Sequence, residues 1–67
     1  FPNSITLIYL SNNFMTSEGY FTSIPWANSL EVAQENSKEI DLSGNYDSAK
    51  DTDFAVVLNG KGFSITF

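Results

Sequence analysis

Apolar residues crowd the two ends of this chain, while the middle is polar and turn-rich. The stretch SITLIYL (4–10) is rich in β-branched and aromatic residues, with Ile5, Leu7 and Tyr9 on one face and Thr6, Ile8 and Leu10 on the other. Apolar groups on both faces predict an inner strand covered on both sides. Turn chemistry follows in Ser11-Asn12-Asn13. GYFTSI (19–24) reads as a second strand, stopped at Pro25 because proline cannot donate to a ladder. Residues 11–18 would then connect the two strands as a hairpin.

The best helix candidate is NSLEVAQENSKEI (28–40). Asn28 followed by Glu31 has capping-box spacing, and Trp26, Leu30, Ala33, Ser37 and Ile40 fall at helical intervals. A strand is the competing reading of this stretch, since Leu30, Val32 and Gln34 also alternate. At the C-terminal end, FAVVLNGKGFSITF (54–67) shows two apolar alternations around Asn59-Gly60, the strongest short-range signal for a β-hairpin. In that hairpin Phe54, Val56, Leu58, Phe63, Ile65 and Phe67 line one face, as core or as interface. No internal repeat is apparent. The pattern predicts one α+β domain over 1–67, with a small antiparallel sheet (N-terminal strand pair and C-terminal hairpin) and one short helix. An all-β fold is the alternative.

Length narrows the picture. A chain of 67 residues makes one small domain, and such a chain buries only about 60% of its unfolded surface. Cysteine and histidine are both absent, which removes disulfides and thiolate or imidazole zinc as sources of stability. Three lysines against eight acids give a net charge of -5, too little positive charge to neutralise phosphates, so nucleic-acid binding is not expected. Anionic membranes are disfavoured on the same ground, and no apolar run approaches the roughly 20 residues that span a bilayer. Frequent Ser, Thr and Asn lean toward an extracellular or viral-surface setting. The first residues, FPNSITL, suggest a processed chain or a fragment of a larger protein.

One segment invites a chemical reading. Residues 41–53, DLSGNYDSAKDTD, hold four aspartates, and Asp41, Ser43, Asn45 and Asp47 alternate as calcium ligands do. The glycine and glutamate positions of an EF-hand are wrong, however, and the following residues are strand-like. Asp47, Asp51 and Asp53 remain as weak candidates for a looser cation site, against a simpler reading as turn residues. The turn reading is preferred, and no metal or other cofactor is expected. Enzyme chemistry is poorly supplied without histidine or cysteine, and so short a chain has little wall for a water-excluding pocket.

Tyr20, Trp26 and Tyr46 each sit beside a turn or element end, where aromatics serve as binding hot spots or stack on sugar rings. The structural alternative for Trp26 is an anchor between helix and sheet. EF-hand, P-loop, zinc, lectin and ubiquitin-like fingerprints are all missing. The expectation is therefore a non-enzymatic interaction module, or a subunit of a larger extracellular or viral assembly, engaging a protein partner or a second copy of itself. The alternatives are a small carbohydrate- or ligand-binding domain that uses Tyr20, Trp26 and Tyr46, and a secreted toxin or inhibitor chain.

Overall fold

The computed structural model describes residues 1–67 in full. It is an α+β domain, but its three strands are parallel. In chain order the elements are β1 (Leu7–Tyr9), α1 (Ser17–Thr22), α2 (Ile24–Asn28), β2 (Lys38–Asp41), α3 (Asp53–Gly60) and β3 (Phe63–Thr66). The sheet order is β1-β2-β3, with Ile8 opposite Ile40 and Ile40 opposite Ile65. Only Ser23 separates α1 from α2, so helix occupies two regions, one after β1 and one after β2. Each region carries the chain back to start the next parallel strand, a connection that two antiparallel hairpins never need.

The second strand, the helix over 28–40 and the first arm of the C-terminal hairpin are therefore corrected, and the all-β alternative falls with them. A strand does occupy 63–66 as expected, but it pairs in parallel with β2. The stretch 19–24 is helical because Thr16 caps it, its hydroxyl accepting the Gly19 N–H at 3.2 Å, and because Tyr20 is the face that is buried. Pro25 starts α2 instead of stopping a strand; at the first turn of a helix its missing N–H costs nothing. The expected helix over 28–40 is instead the end of α2, an irregular segment and β2. Asn36 adopts a left-handed backbone (φ 58°) there, which breaks helical continuity, and Ile40 and Leu42 point inward around the partly exposed Asp41.

The C-terminal hairpin is replaced by α3 and β3. Thr52 caps α3, its hydroxyl accepting the Ala55 N–H, and Asp53 lies in the favourable first turn. The buried positions are Phe54, Ala55 and Leu58, a helical spacing, whereas Val56 is exposed. Asn59-Gly60 belongs to the last turn of the helix, and Gly62 (φ 99°) ends it by donating its N–H to the Asn59 carbonyl. Glycine is required at 62: an added Cβ would lie 2.8 Å from the Gln34 carbonyl oxygen and 2.9 Å from that of Ala33.

The strand at the N-terminal end is present but shorter, and it lies at an edge. Ile8 is buried, while Leu7 and Tyr9 stand on the open face of the sheet. Helices cover only the other face. There Ile8, Ile40 and Phe63 meet Tyr20, Ala27, Leu30, Phe54 and Leu58 in a single core with Leu42 and Ala49. The radius of gyration, 10.7 Å, matches the roughly 11 Å of a fully compact chain of this length.

Candidate functional site

The polar segment 41–53 is a structural device in which each aspartate has a local task. Asp41 Oδ1 accepts from the Ser43 hydroxyl (2.6 Å) and from the Ser43 N–H (2.9 Å). These two bonds hold its carboxyl below the usual carboxylate range, the hydroxyl contributing most. Asp47 Oδ2 accepts the Ser17 N–H at the start of α1 (2.8 Å), and Asp53 opens α3. Asp51 takes a left-handed turn conformation at φ 65°. Asp47, Asp51 and Asp53 are not gathered, and no cluster of three or more acidic side chains could hold a metal ion.

Asn45 has the most connected side chain in the segment. Its Oδ1 accepts the N–H groups of Asn13 (2.7 Å) and Met15 (3.1 Å). Its Nδ2 donates to the carbonyls of Leu10 and Leu42, each at 2.9 Å. One carboxamide thus satisfies four backbone groups from two successive turns. Two N–H groups converging on one oxygen also bend the chain between them, and Phe14 is held there at φ 58°, a conformation rare for a bulky residue. The phenyl ring of Phe14 rests against Tyr46, 5.1 Å between centroids.

The aromatic candidates separate. Tyr20 is 1% exposed, stacks on Phe54 at 5.7 Å and donates its hydroxyl to the Asp47 carbonyl at 2.7 Å. Burial raises its hydroxyl above the ordinary tyrosine range, and the Asp47 carboxylate adds to this. Trp26 is half-buried, its ring against Phe54 of α3 and against Phe1. Tyr46 is exposed with Phe14 on the turns. The structure therefore joins Tyr20 and Trp26 through Phe54 in the core and leaves Tyr46 apart. The surface has no pocket.

What the structure does gather is the uncovered sheet face. Register places Leu7, Glu39 and Ser64 in one row across the three strands and Tyr9, Asp41 and Thr66 in the next. All six point away from the helices. Tyr9 is 69% exposed, and no basic residue shares the face.

Compared with protein-family models, curated proteins and solved structures, the chain matches none.

The corresponding roles of Asn13 and Asn45, read in the sequence only as turn chemistry and as one of several alternating oxygen ligands, did carry a signal. Ile8-Tyr-Leu-Ser-Asn-Asn-Phe14 and Ile40-Asp-Leu-Ser-Gly-Asn-Tyr46 share Ile, Leu, Ser and Asn at matching positions, 32 residues apart. An internal repeat is present after all. It escapes notice because the match is confined to one strand and turn, while the intervening helices share nothing. The left-handed pair Asn12 and Gly44 falls at the same relative place in both copies.

Proposed function

We propose that the chain is a non-enzymatic interaction module, built as a short solenoid of strand–turn–helix units that presents its open sheet face to a protein partner. The observation that carries this reading is the uncovered double row Leu7-Glu39-Ser64 and Tyr9-Asp41-Thr66 on three parallel strands. Stacked repeats create extended faces of this kind, suited to another macromolecule more than to an enclosed small molecule. The sequence intervals support the same architecture. Ile5, Ile8, Leu10, Asn13 and Met15 stand at the spacing L-x-x-L-x-L-x-x-N-x-L of leucine-rich units. Ile40, Leu42 and Asn45 repeat its centre, whereas Ser37 and Asp47 depart from it.

An exposed tyrosine beside a leucine gives the face an apolar anchor, and Glu39 with Asp41 gives it a sign of charge. The partner is accordingly a protein surface with apolar and basic character. The composition that suggested an extracellular or viral-surface setting accords with this role.

The test is capture of proteins from the cells that make the chain, using wild type and a face-reversed variant (Tyr9→Ser with Glu39→Lys) as bait. Both are first checked for identical circular dichroism. A bound protein retained by wild type and lost by the variant supports the reading. An identical bound set with both baits would sink it.

A further inference from the structure

We infer that the outer edge of β1 is a docking edge for one more strand–turn unit of the same kind, laid parallel to β1 with its turn against Asn13. This rests on the repeat architecture and is independent of what the open sheet face binds.

The interface between β2 and β1 shows what such a unit looks like. There Leu10 N–H donates to the Asp41 carbonyl at 2.8 Å, Asn12 N–H donates to that of Ser43 at 3.0 Å, and Asn45 Oδ1 takes the two N–H groups flanking Phe14. One strand further out, Asn13 occupies the place of Asn45. Its Nδ2 bonds only locally, to the Ser11 carbonyl at 3.0 Å, its Oδ1 accepts no hydrogen bond within the chain, and its strand is the last of the sheet. The edge strand Leu7-Ile8-Tyr9 has no lysine, proline or inward charge of the kind that blunts an exposed edge. Phe14, exposed above Tyr46, continues the column on which the next unit's turn residue would rest.

The occupant is therefore a polypeptide segment of defined chemistry. It is an extended strand with an apolar side chain facing the core beside Ile8, followed by a turn that offers two N–H groups to Asn13. A second copy docking through its own β3 brings a strand but, within residues 1–67, no turn, and leaves Asn13 unfilled.

The test is a fusion in which residues 1–36 are followed by residues 5–67, so that a complete unit precedes the original β1. Stacked units add their interface to the stability, and a rise in Tm of about 5 °C or more over the unextended chain is expected. Asn13→Ala in the inner copy should remove most of that gain, while Asn13→Ala in the unextended chain should leave Tm unchanged. No gain on extension, or an inner Asn13→Ala without effect, overturns the inference. Should the fusion not fold, the synthetic peptide Ser-Lys-Glu-Ile-Asp-Leu-Ser-Gly-Asn-Tyr-Asp (37–47) is titrated into the unextended chain and followed by amide NMR. Shifts confined to Leu7–Tyr9 and Asn13, and abolished by a proline in place of the peptide's isoleucine, support the edge. Absence of shifts overturns it. A concentration-dependent dimer that blocks the peptide would hand the edge to a second copy and overturn it as well.

Discussion

Asn45 accepts the backbone N–H of Asn13 at 2.7 Å across 32 residues of chain, so a side chain of the second turn fixes the shape of the first. Truncating it strands two N–H and two carbonyl groups at once, with water reaching only some of them. Asn45→Ala should cost about 2–4 kcal/mol in urea denaturation, more than a single hydrogen bond, because unsatisfied groups carry their own penalty. Asn45→Asp should recover only part of this, keeping the acceptor while losing both donors.

Lys38 is the one charged side chain buried in the core, 3% exposed. Its Nζ donates to the Glu31 carbonyl at 2.5 Å and lies 4.5 Å from the centre of the Phe63 ring. Lys38→Ala should destabilise by about 2–3 kcal/mol through the lost packing of the aliphatic stem, and Lys38→Met by about 1 kcal/mol. Equal losses for both variants in chemical denaturation would show that the charge matters more than the volume.

Gly62 combines a left-handed backbone with close approach to the 33–34 segment. Gly62→Ala should cost about 2–3 kcal/mol, since both the backbone angle and two carbonyl groups resist the added methyl. Gly60 has open space around it in the last turn of α3, so Gly60→Ala should be neutral or stabilising by up to about 1 kcal/mol. Paired thermal melts of the two variants check the contrast.

The raised Tyr20 hydroxyl sets an alkaline limit. Above about pH 10 the unfolded chain releases this proton while the folded chain still holds it, so stability falls as pH rises toward the folded value. Tyr20→Phe should remove that part of the alkaline slope. Denaturation midpoints of the two proteins between pH 8 and 11 give the comparison, and parallel curves would contradict it.

Asp41 acts in the opposite direction. Its carboxyl is held low by Ser43, so its contribution is complete above the unfolded value near pH 4 and is lost as pH falls through the lower folded value. Ser43→Ala should weaken this acid dependence and move the acid unfolding midpoint of the whole chain upward.

Several local features were legible in the sequence for physical reasons that act over a few residues. The turn at 11–13, the turn chemistry of the 41–53 segment, the strand around Ile8 and a small α+β domain all follow from short-range propensity. The aromatic trio was a poor guide, because a hydroxyl next to a turn looks the same whether it meets solvent, as in Tyr46, or a buried carbonyl, as in Tyr20.

Composition also determined what the chain lacks, disulfides and imidazole or thiolate metal sites among them. Only the tertiary structure decided strand direction. Phe54, Val56 and Leu58 alternate as a strand would, yet Phe54, Ala55 and Leu58 also make a helical face, and the two readings are close in local energy. What tips the balance is long-range. As a helix, α3 covers Tyr20 and Trp26 and delivers Phe63 and Ile65 beside Lys38 and Ile40 in parallel register. Parallel pairing joins residues far apart in the chain, and a period-two or period-3.6 pattern carries no record of which distant strand it will meet.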